Sequence, residues 1–267
     1  KLILLHGPNG SAKSSIAHAL MGGLERYSRE TPEGALYSFN WIFPVERVVK
    51  GSMGINSGAY PSKREGHSSF AKLADDEIAA RIPCEMRDHP LLLIPRTKRR
   101  ELIQQRLAAE IKSGFRPADY LLRGDLSHRN RQIFEALLSS YHGDLSKVLR
   151  HVQVERFFVS RRYRQAAATV EPQLAVDARS RQLTMDRSLA SLPPALQSLT
   201  LYEYQGELVD GNRGVIDFAD LLKRPLESYK YLLGTVEQGR VSLDVASLEL
   251  DTIFIGSSNE GYLSAFK

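Results

Sequence analysis

The sequence predicts an α/β protein, a parallel sheet with helices on both faces forming three αβα layers, interrupted by a long mixed α+β insertion. Three observations predict it. A short apolar run, Leu2-Ile3-Leu4-Leu5, leads through a glycine-containing turn into a helical stretch from Ser14 to Leu24. Val215 to Phe218 is a second apolar run, broken only by Asp217. Thr252-Ile253-Phe254-Ile255-Gly256 is a third, and it ends in the polar Ser257-Ser258-Asn259-Glu260. Short continuous apolar runs bounded by turn residues mark strands buried on both faces, which is how parallel sheets are built.

The turn after the first strand carries the clearest chemistry. Gly7-Pro8-Asn9-Gly10-Ser11-Ala12-Lys13-Ser14 reads as a phosphate-binding loop, with Ser15 continuing into the helix. Glycines between strand and helix let backbone N–H groups converge on an anion, and the helix N-terminus adds its positive dipole end. In this pattern Lys13 reaches the β- and γ-phosphates and the Ser14 hydroxyl holds Mg²⁺. Ala12 stands where the pattern has its second glycine. A methyl group is the smallest side chain that can intrude there, so the cradle is expected to survive. Nucleotide-binding domains ordinarily have residues before this strand that hold the base. The chain therefore reads either as a fragment or as lacking that segment.

Bulk properties narrow the field. The chain has 267 residues, 42% hydrophobic and 25% charged, enough for one large domain or two smaller ones with a substantial core. No apolar run approaches the ~18–20 residues that span a bilayer, and an opening directly on a strand reads as no signal peptide. The single cysteine, Cys84, excludes an internal disulfide and suits a reducing, cytoplasmic compartment. A metal site from Cys84, His67 and His89 matches no zinc spacing, and a packed core thiol is the simpler reading. Net charge is +5, with basic clusters at Arg96, Lys98, Arg99, Arg100 and at Arg156, Arg161, Arg162, Arg164. Nucleic acid is a conceivable partner. Solvated faces and acidic intramolecular partners are favoured, because no recognition motif accompanies the charge.

The remaining elements follow in order. Ala35 to Phe43 reads as a strand stopped by Pro44, and 51–69 as a glycine- and serine-rich loop. Leu91 to Ile94 is expected to be a short buried or edge strand. Leu102, Ile103, Leu107 and Ile111 give Lys98–Lys112 a helical period, and Ile133–Tyr141 is a further helix. Leu145 to Phe158 begins helical and turns β-rich. Tyr163 to Met185 suggests a hairpin about Asp177-Ala178-Arg179-Ser180. Pro193-Pro194 marks a helix start or a loop. A helix with Leu226, Tyr229, Leu232, Leu233 and Val236 on one face ends at Gly239, and Val241–Leu250 reads as a hairpin.

Hydrolysis needs more than a phosphate loop. Val215–Phe218 places carboxylates at the C-terminal end of a strand, where open α/β sheets bind their ligands. Asp217 and Asp220 are the candidates for ordering Mg²⁺ or the attacking water. Asn259, at the tip of the next strand, is the candidate for sensing the γ-phosphate, although loop capping by its amide is the competing role.

This three-part order resembles the AAA+ ATPases. Gly214 to Gly239 is spaced like the acidic-strand segment of the sigma-54 activators, and on that register the acidic pair falls on Ala219 and Asp220. The usual first acid is then missing, and Asp217, on the same sheet face as Ala219, is placed to compensate. A closer resemblance is to the PrkA family, labelled serine protein kinases. It rests on Gly7–Ser15, Asp88-His89-Pro90-Leu91, Gly143-Asp144-Leu145-Ser146-Lys147, Asn212-Arg213-Gly214 through Lys223-Arg224-Pro225, and Ser258-Asn259-Glu260. The long span between loop and acidic strand is also similar. Departures are Ala12 for glycine, and Asp217 and Asp220 for glutamates.

The resemblance implies an AAA core from 1–43 and 211–267 that lacks its lid and arginine finger, with 44–210 as a family insertion of helices and a β-hairpin. It implies ATP and Mg²⁺ as cofactors, with Ser14 and Asp220 at the metal and Asp220, Asp217 and Asn259 catalytic. It also implies a bacterial, cytoplasmic protein, a homo-oligomer, and a protein substrate phosphorylated on serine. The alternatives are a remodelling ATPase without kinase activity and a nucleotide-gated interaction domain.

Overall fold

The computed structural model describes residues 1–45, 69–172, 176–182, 196, 199–224, 232 and 234–266. Strand β1 (Leu2–His6) opens into helix α1 (Lys13–Glu30), followed by β2 (Leu36–Pro44) and β3 (Ile78–Pro83). A helical block comes next: α2 (Arg96–Arg106), α3 (Ala108–Lys112), α4 (Asp119–Arg123), α5 (His128–Ser140) and α6 (Leu145–Leu149). Then come β4 (Val152–Phe157), β5 (Ala167–Val170), β6 (Arg179–Gln182), β7 (Tyr202–Gln205), α7 (Glu207–Asp210) and β8 (Val215–Phe218). The chain closes with β9 (Arg240–Ser242), β10 (Ser247–Glu249), β11 (Ile253–Ser258) and α8 (Glu260–Phe266).

The central sheet is four parallel strands in the order β1-β11-β8-β5. The three strands expected from their apolar runs are adjacent in it. One face packs Val215, Ile255 and Ala167 against Ala17 and Met21 of α1. The far face carries Ile216, Phe218, Phe254, Ala168 and Val170 against Tyr204, Leu208, Leu232, Val241 and Leu248. That covering is a mixture of helix and hairpin, so the expected third helical layer is only partly helical. Strand β1 is an edge strand among the described residues, with Leu2, Ile3 and Leu4 exposed rather than buried as expected.

Two assignments change. Strand β2, expected in the nucleotide core, is the middle of an antiparallel sheet β3-β2-β4. Its Phe39, Trp41 and Phe43 pack on Ile133, Leu137 and Val148 of the helical block. Conversely, β5 lies within the expected insertion yet completes the parallel sheet. The boundary at 44–210 therefore does not follow the sheet. The expected hairpin about Asp177–Ser180 is also replaced, because β6 pairs with the distant β7. Leu91–Leu93 is a 3-10 turn rather than a strand. Pro90 favours a turn start, and His89 Nδ1 accepts the Leu91 N–H at 3.1 Å to cap it. The helix predicted over Lys98–Lys112 breaks at Leu107 (φ −107°, ψ 25°). The 51–69 loop lies outside the described residues except for Ser69, as do most of the 226–236 helix and the 193–194 segment.

At the N-terminal ends of β8 and β11 a buried polar clasp joins the parallel sheet to the helical block. Asn212 donates to Met86 O at 2.8 Å and accepts from Asp251 N at 2.9 Å. Arg87 donates to Val209 O at 2.9 Å, and Arg213 donates back to Arg87 O at 2.9 Å. The Arg213 guanidinium lies 4.6 Å from the Tyr120 ring centroid. Beside the clasp, Asp88 accepts from Ser127 N, Ser127 Oγ and Asn130 Nδ2, each at 2.8 Å. The Asp88-His89-Pro90 stretch is thus a packing junction.

Candidate functional site

The candidate phosphate loop, Gly7–Ser15, follows the C-terminal end of β1. Gly7 N donates to Ser258 O at 3.3 Å, which fixes the loop against the tip of β11. Gly10 has φ 81°, a left-handed conformation natural to glycine. Ala12 also has a positive φ, 59°. The pattern's glycine at this position is therefore explained by backbone conformation, and the expectation that only methyl bulk mattered is corrected. An L-residue held there costs about 1–2 kcal/mol. Lys13 and Ser14 begin an 18-residue helix. The Lys13 ammonium folds over its own loop, donating to Gly7 O at 2.9 Å, Pro8 O at 2.7 Å and Ser11 Oγ at 3.3 Å. This places the charge inside the turn of backbone that would surround an anion.

Asp217 pairs in register with Ile255, which pairs with Ile3. Ile3 is three residues short of the end of β1, so Asp217 sits about 10 Å below the loop. It is 5% exposed, and its Oδ1 has no hydrogen-bond partner. Burial pushes its pKa up, and His18 and Arg161 pull it down while Glu171 pushes it further up. His18 lies one turn beyond Ser14 on α1, about 6 Å along the axis. Asp217 is therefore level with the His18 turn, below Ser14.

Ala219 is one pleat higher on the same face, at the level of the loop. Its N–H donates to Val170 O at 3.1 Å, so the β5–β8 ladder runs on past the assigned strands. Glu171 then stands beside Ala219 on the neighbouring strand, and it is exposed. Neither His18 nor Glu171 is among the candidates that the sequence motifs point to. His18 was legible as the i+4 partner of Ser14. Glu171 was not, because its strand was read as a hairpin arm.

Asp220 occupies the turn after β8 with φ 44°. Its N–H donates to Ser257 Oγ at 3.0 Å, and its carboxylate binds Lys223 Nζ at 2.6 Å. Both partners are 39% exposed, so solvent screens the pair and it yields readily to a stronger cation. Lys223 in turn lies 5.9 Å from the Tyr262 ring centroid on α8. Asn259 Oδ1 accepts from Tyr262 N at 3.1 Å, so the amide caps α8 while standing beside the loop-bound end of β11.

The other sequence candidates are absorbed by packing. Cys84 is buried, accepts from Asp88 N and Asn130 Nδ2, and burial raises its pKa well above the ordinary thiol range. His67 lies outside the described residues. Arg99 is buried and donates to Gly124 O at 2.5 Å, and Arg156 donates to the backbone of Ser28 and Arg29. Arg96 pairs with Asp125, Arg161 with Glu25, and Arg164 with Glu207 and Asp210. Lys98 pairs with Glu101, so among the described residues four of the eight cluster cations have a carboxylate partner within the chain. No described helix is long and apolar enough to cross a membrane.

A glycine-containing turn leading from a parallel strand into a helix, in a parallel sheet flanked by helices, fits the P-loop class of α/β nucleotide-binding proteins. The chain belongs to the PrkA AAA domain family, whose model matches residues 70–267, about three quarters of its length. The loop at Gly7–Ser15 precedes the matched residues and rests on its own geometry. The chain is also 24% identical over 272 residues to the ATP-dependent protease PrkA of Bacillus subtilis (strain 168). That similarity covers all of this chain and 33% of the relative, so the chain spans about a third of that protein's length. It is thus an AAA-type ATPase module, for which nucleotide binding, generally with a divalent metal, follows from the family.

Proposed function

We propose that the chain binds MgATP on Gly7–Ser15 and hydrolyses it, as the ATPase module of a larger cytoplasmic bacterial enzyme that acts on protein. The carrying observation is the Lys13 ammonium held within a loop anchored to Ser258, at the C-terminal end of the sheet, where Asp220 and Asn259 also stand. Backbone N–H groups of the loop and the start of α1 would bind the phosphates, and Lys13 would swing from the loop carbonyls onto the β- and γ-oxygens. The residues present suit Mg²⁺: a hydroxyl at the head of α1, and in Asp217 a buried carboxylate oxygen without a partner. Mg²⁺ ordinarily keeps several waters, so Asp217, one pleat below Ser14, would hold the ion through one of them. When bound, the ion supplies charge neutralisation on the phosphates. Asp220, released from Lys223, would order the attacking water, and the Asn259 amide would contact the γ-phosphate.

Three outputs compete. The printed name of the relative, an ATP-dependent protease, favours ATP-driven handling of a protein for cleavage. The serine-kinase label of the resembling family favours phosphoryl transfer to a protein serine. Assembly into a homo-oligomer accompanies either reading, by analogy with AAA+ proteins. Ala219 in place of the usual acid favours a third output, a nucleotide-gated interaction without turnover.

Lys13→Ala tests the site. Loss of one charge-assisted contact to phosphate lowers ATP affinity about 100-fold, read by titration calorimetry. Unchanged affinity removes the phosphate-loop assignment. The products of the intact protein, whether free phosphate, labelled serine or peptide fragments, separate the outputs.

A further inference from the structure

The position that lacks an acid on β8 has one beside it. Strand β5 alternates its faces: Ala167 packs with α1, whereas Ala168 and Val170 pack on the far side. Glu171, two pleats beyond Ala167, therefore projects on the α1 face, the face of Asp217 and Ala219. The Ala219 N–H to Val170 O bond carries the ladder up to this level. The two Cα atoms then stand about 5 Å apart, the spacing of neighbouring strands. Ala219 contributes only a methyl on this face, and a glutamate side chain is long enough to reach across one strand spacing.

Three further observations bear on this pair. Thr169 pairs with Asp217 and is exposed, so the α1 face is open above β5. Among the described residues no hydrogen bond or ion pair engages the Glu171 carboxylate; only its backbone carbonyl is used, by Arg224 at 2.7 Å. And the partnerless Oδ1 of Asp217 is buried immediately below, close enough for the two carboxylates to repel. Two carboxylates on one face, the lower one nine-tenths buried with an oxygen that accepts no hydrogen bond, form a donor set for a cation, with His18 and Arg161 the basic groups already near Asp217. Asp220, by contrast, already has Lys223.

We infer that Glu171 is a divalent-cation ligand of the nucleotide site, supplying from β5 the carboxylate that Ala219 removes from β8, with Asp217 beneath it and Ser14 opposite. The inference rests on the nucleotide-site reading of Gly7–Ser15. It gives the acidic strand's usual role to two adjacent strands jointly.

The test is Mn²⁺ binding to the intact protein with saturating ADP, followed by electron paramagnetic resonance, together with ADP affinity in EDTA. Glu171→Gln, at an exposed position, should weaken Mn²⁺ about 10- to 100-fold while leaving ADP affinity in EDTA unchanged. Adding Ala219→Asp to Glu171→Gln should restore Mn²⁺ binding. Unchanged Mn²⁺ affinity in Glu171→Gln with ADP still bound overturns the inference alone. Failure of the unsubstituted protein to bind ADP overturns the nucleotide-site reading, and the inference with it.

Discussion

The two ends of the parallel sheet are built on opposite principles. At the N-terminal end of β8 and β11, Asn212, Arg213 and Arg87 are bonded to backbone carbonyls of the neighbouring segment. Arg87 and Arg213 adopt left-handed φ of 55° and 63°, and the bonds around them hold both conformations in place. At the C-terminal end the strained residues are Ala12 and Asp220, and the polar atoms around them are exposed, weakly paired or, in Asp217, unpaired. Buried polar groups are costly unless satisfied. An end that satisfies itself serves stability. An end that leaves donors and carboxylates unmatched is arranged for something that arrives from solution.

The largest effect should come from breaking the self-satisfied end. A Cβ at Gly214 would lie 1.8 Å from Ala166 O, a backbone atom that cannot yield without moving β5. Gly214→Ala is expected to cost more than about 4 kcal/mol, comparable to the whole stability of a marginal domain. Urea denaturation would show it as loss of the cooperative transition or a large drop in its midpoint. A change under about 1 kcal/mol would mean that β5 and β8 do not approach as described.

The same contrast explains what the sequence disclosed. Strands β1, β8 and β11 were legible because each is a compact apolar run, and the loop because Lys13-Ser14 follows glycines and precedes a helix. Strand β5 was not, since Ala-Ala-Thr-Val carries little hydrophobic signal and becomes a strand through its pairing with β8. Membership of β2 in a second sheet was equally hidden. Its apolar residues predicted a strand, but which neighbours it pairs with depends on β3 and β4, far along the chain. The clasp residues Asn212-Arg213-Gly214 carry the family resemblance, but nothing local in the sequence shows that the Asn212 and Arg213 side chains face Met86 and Arg87. Asp217 was recognised as a candidate, and only the register showed it to lie below Ser14.

A second effect, of intermediate size, concerns the unsatisfied end. Burial raises the native pKa of Asp217, whereas the unfolded chain ionises it at the ordinary carboxylate value. Between those two values the native state holds more protons than the unfolded state. Stability therefore falls as pH rises through that window, and the penalty is complete above the raised native value. Asp217→Asn removes the buried charge. It should stabilise the protein by about 1–2 kcal/mol at pH 7, with the gain fading below the ordinary value of about 4. Its Mn²⁺ affinity should fall in the same experiment. Denaturation at pH 7 and pH 3.5, paired with metal titration, checks both. Destabilisation at both pH values would show that Asp217 is a structural carboxylate satisfied in some other way.

The smallest effect is the mirror image of Gly214→Ala. Ala12 pays the left-handed penalty of about 1–2 kcal/mol, while glycine there would return about 0.4–1 kcal/mol of that through a freer unfolded chain. Ala12→Gly should therefore gain about 0.5 kcal/mol in urea denaturation, whereas glycine-to-alanine at the other end is destructive. Ala12→Val should lose stability, since a β-branched residue tolerates φ near 59° poorly. Nucleotide affinity sharpens the point. If the loop is held in its binding conformation by the Lys13 contacts, relieving strain at residue 12 changes affinity by no more than a few-fold, because free and bound loops share the same backbone. A tenfold gain in Ala12→Gly would instead mean that the loop rearranges on binding, and that Ala12 sets how readily it does so.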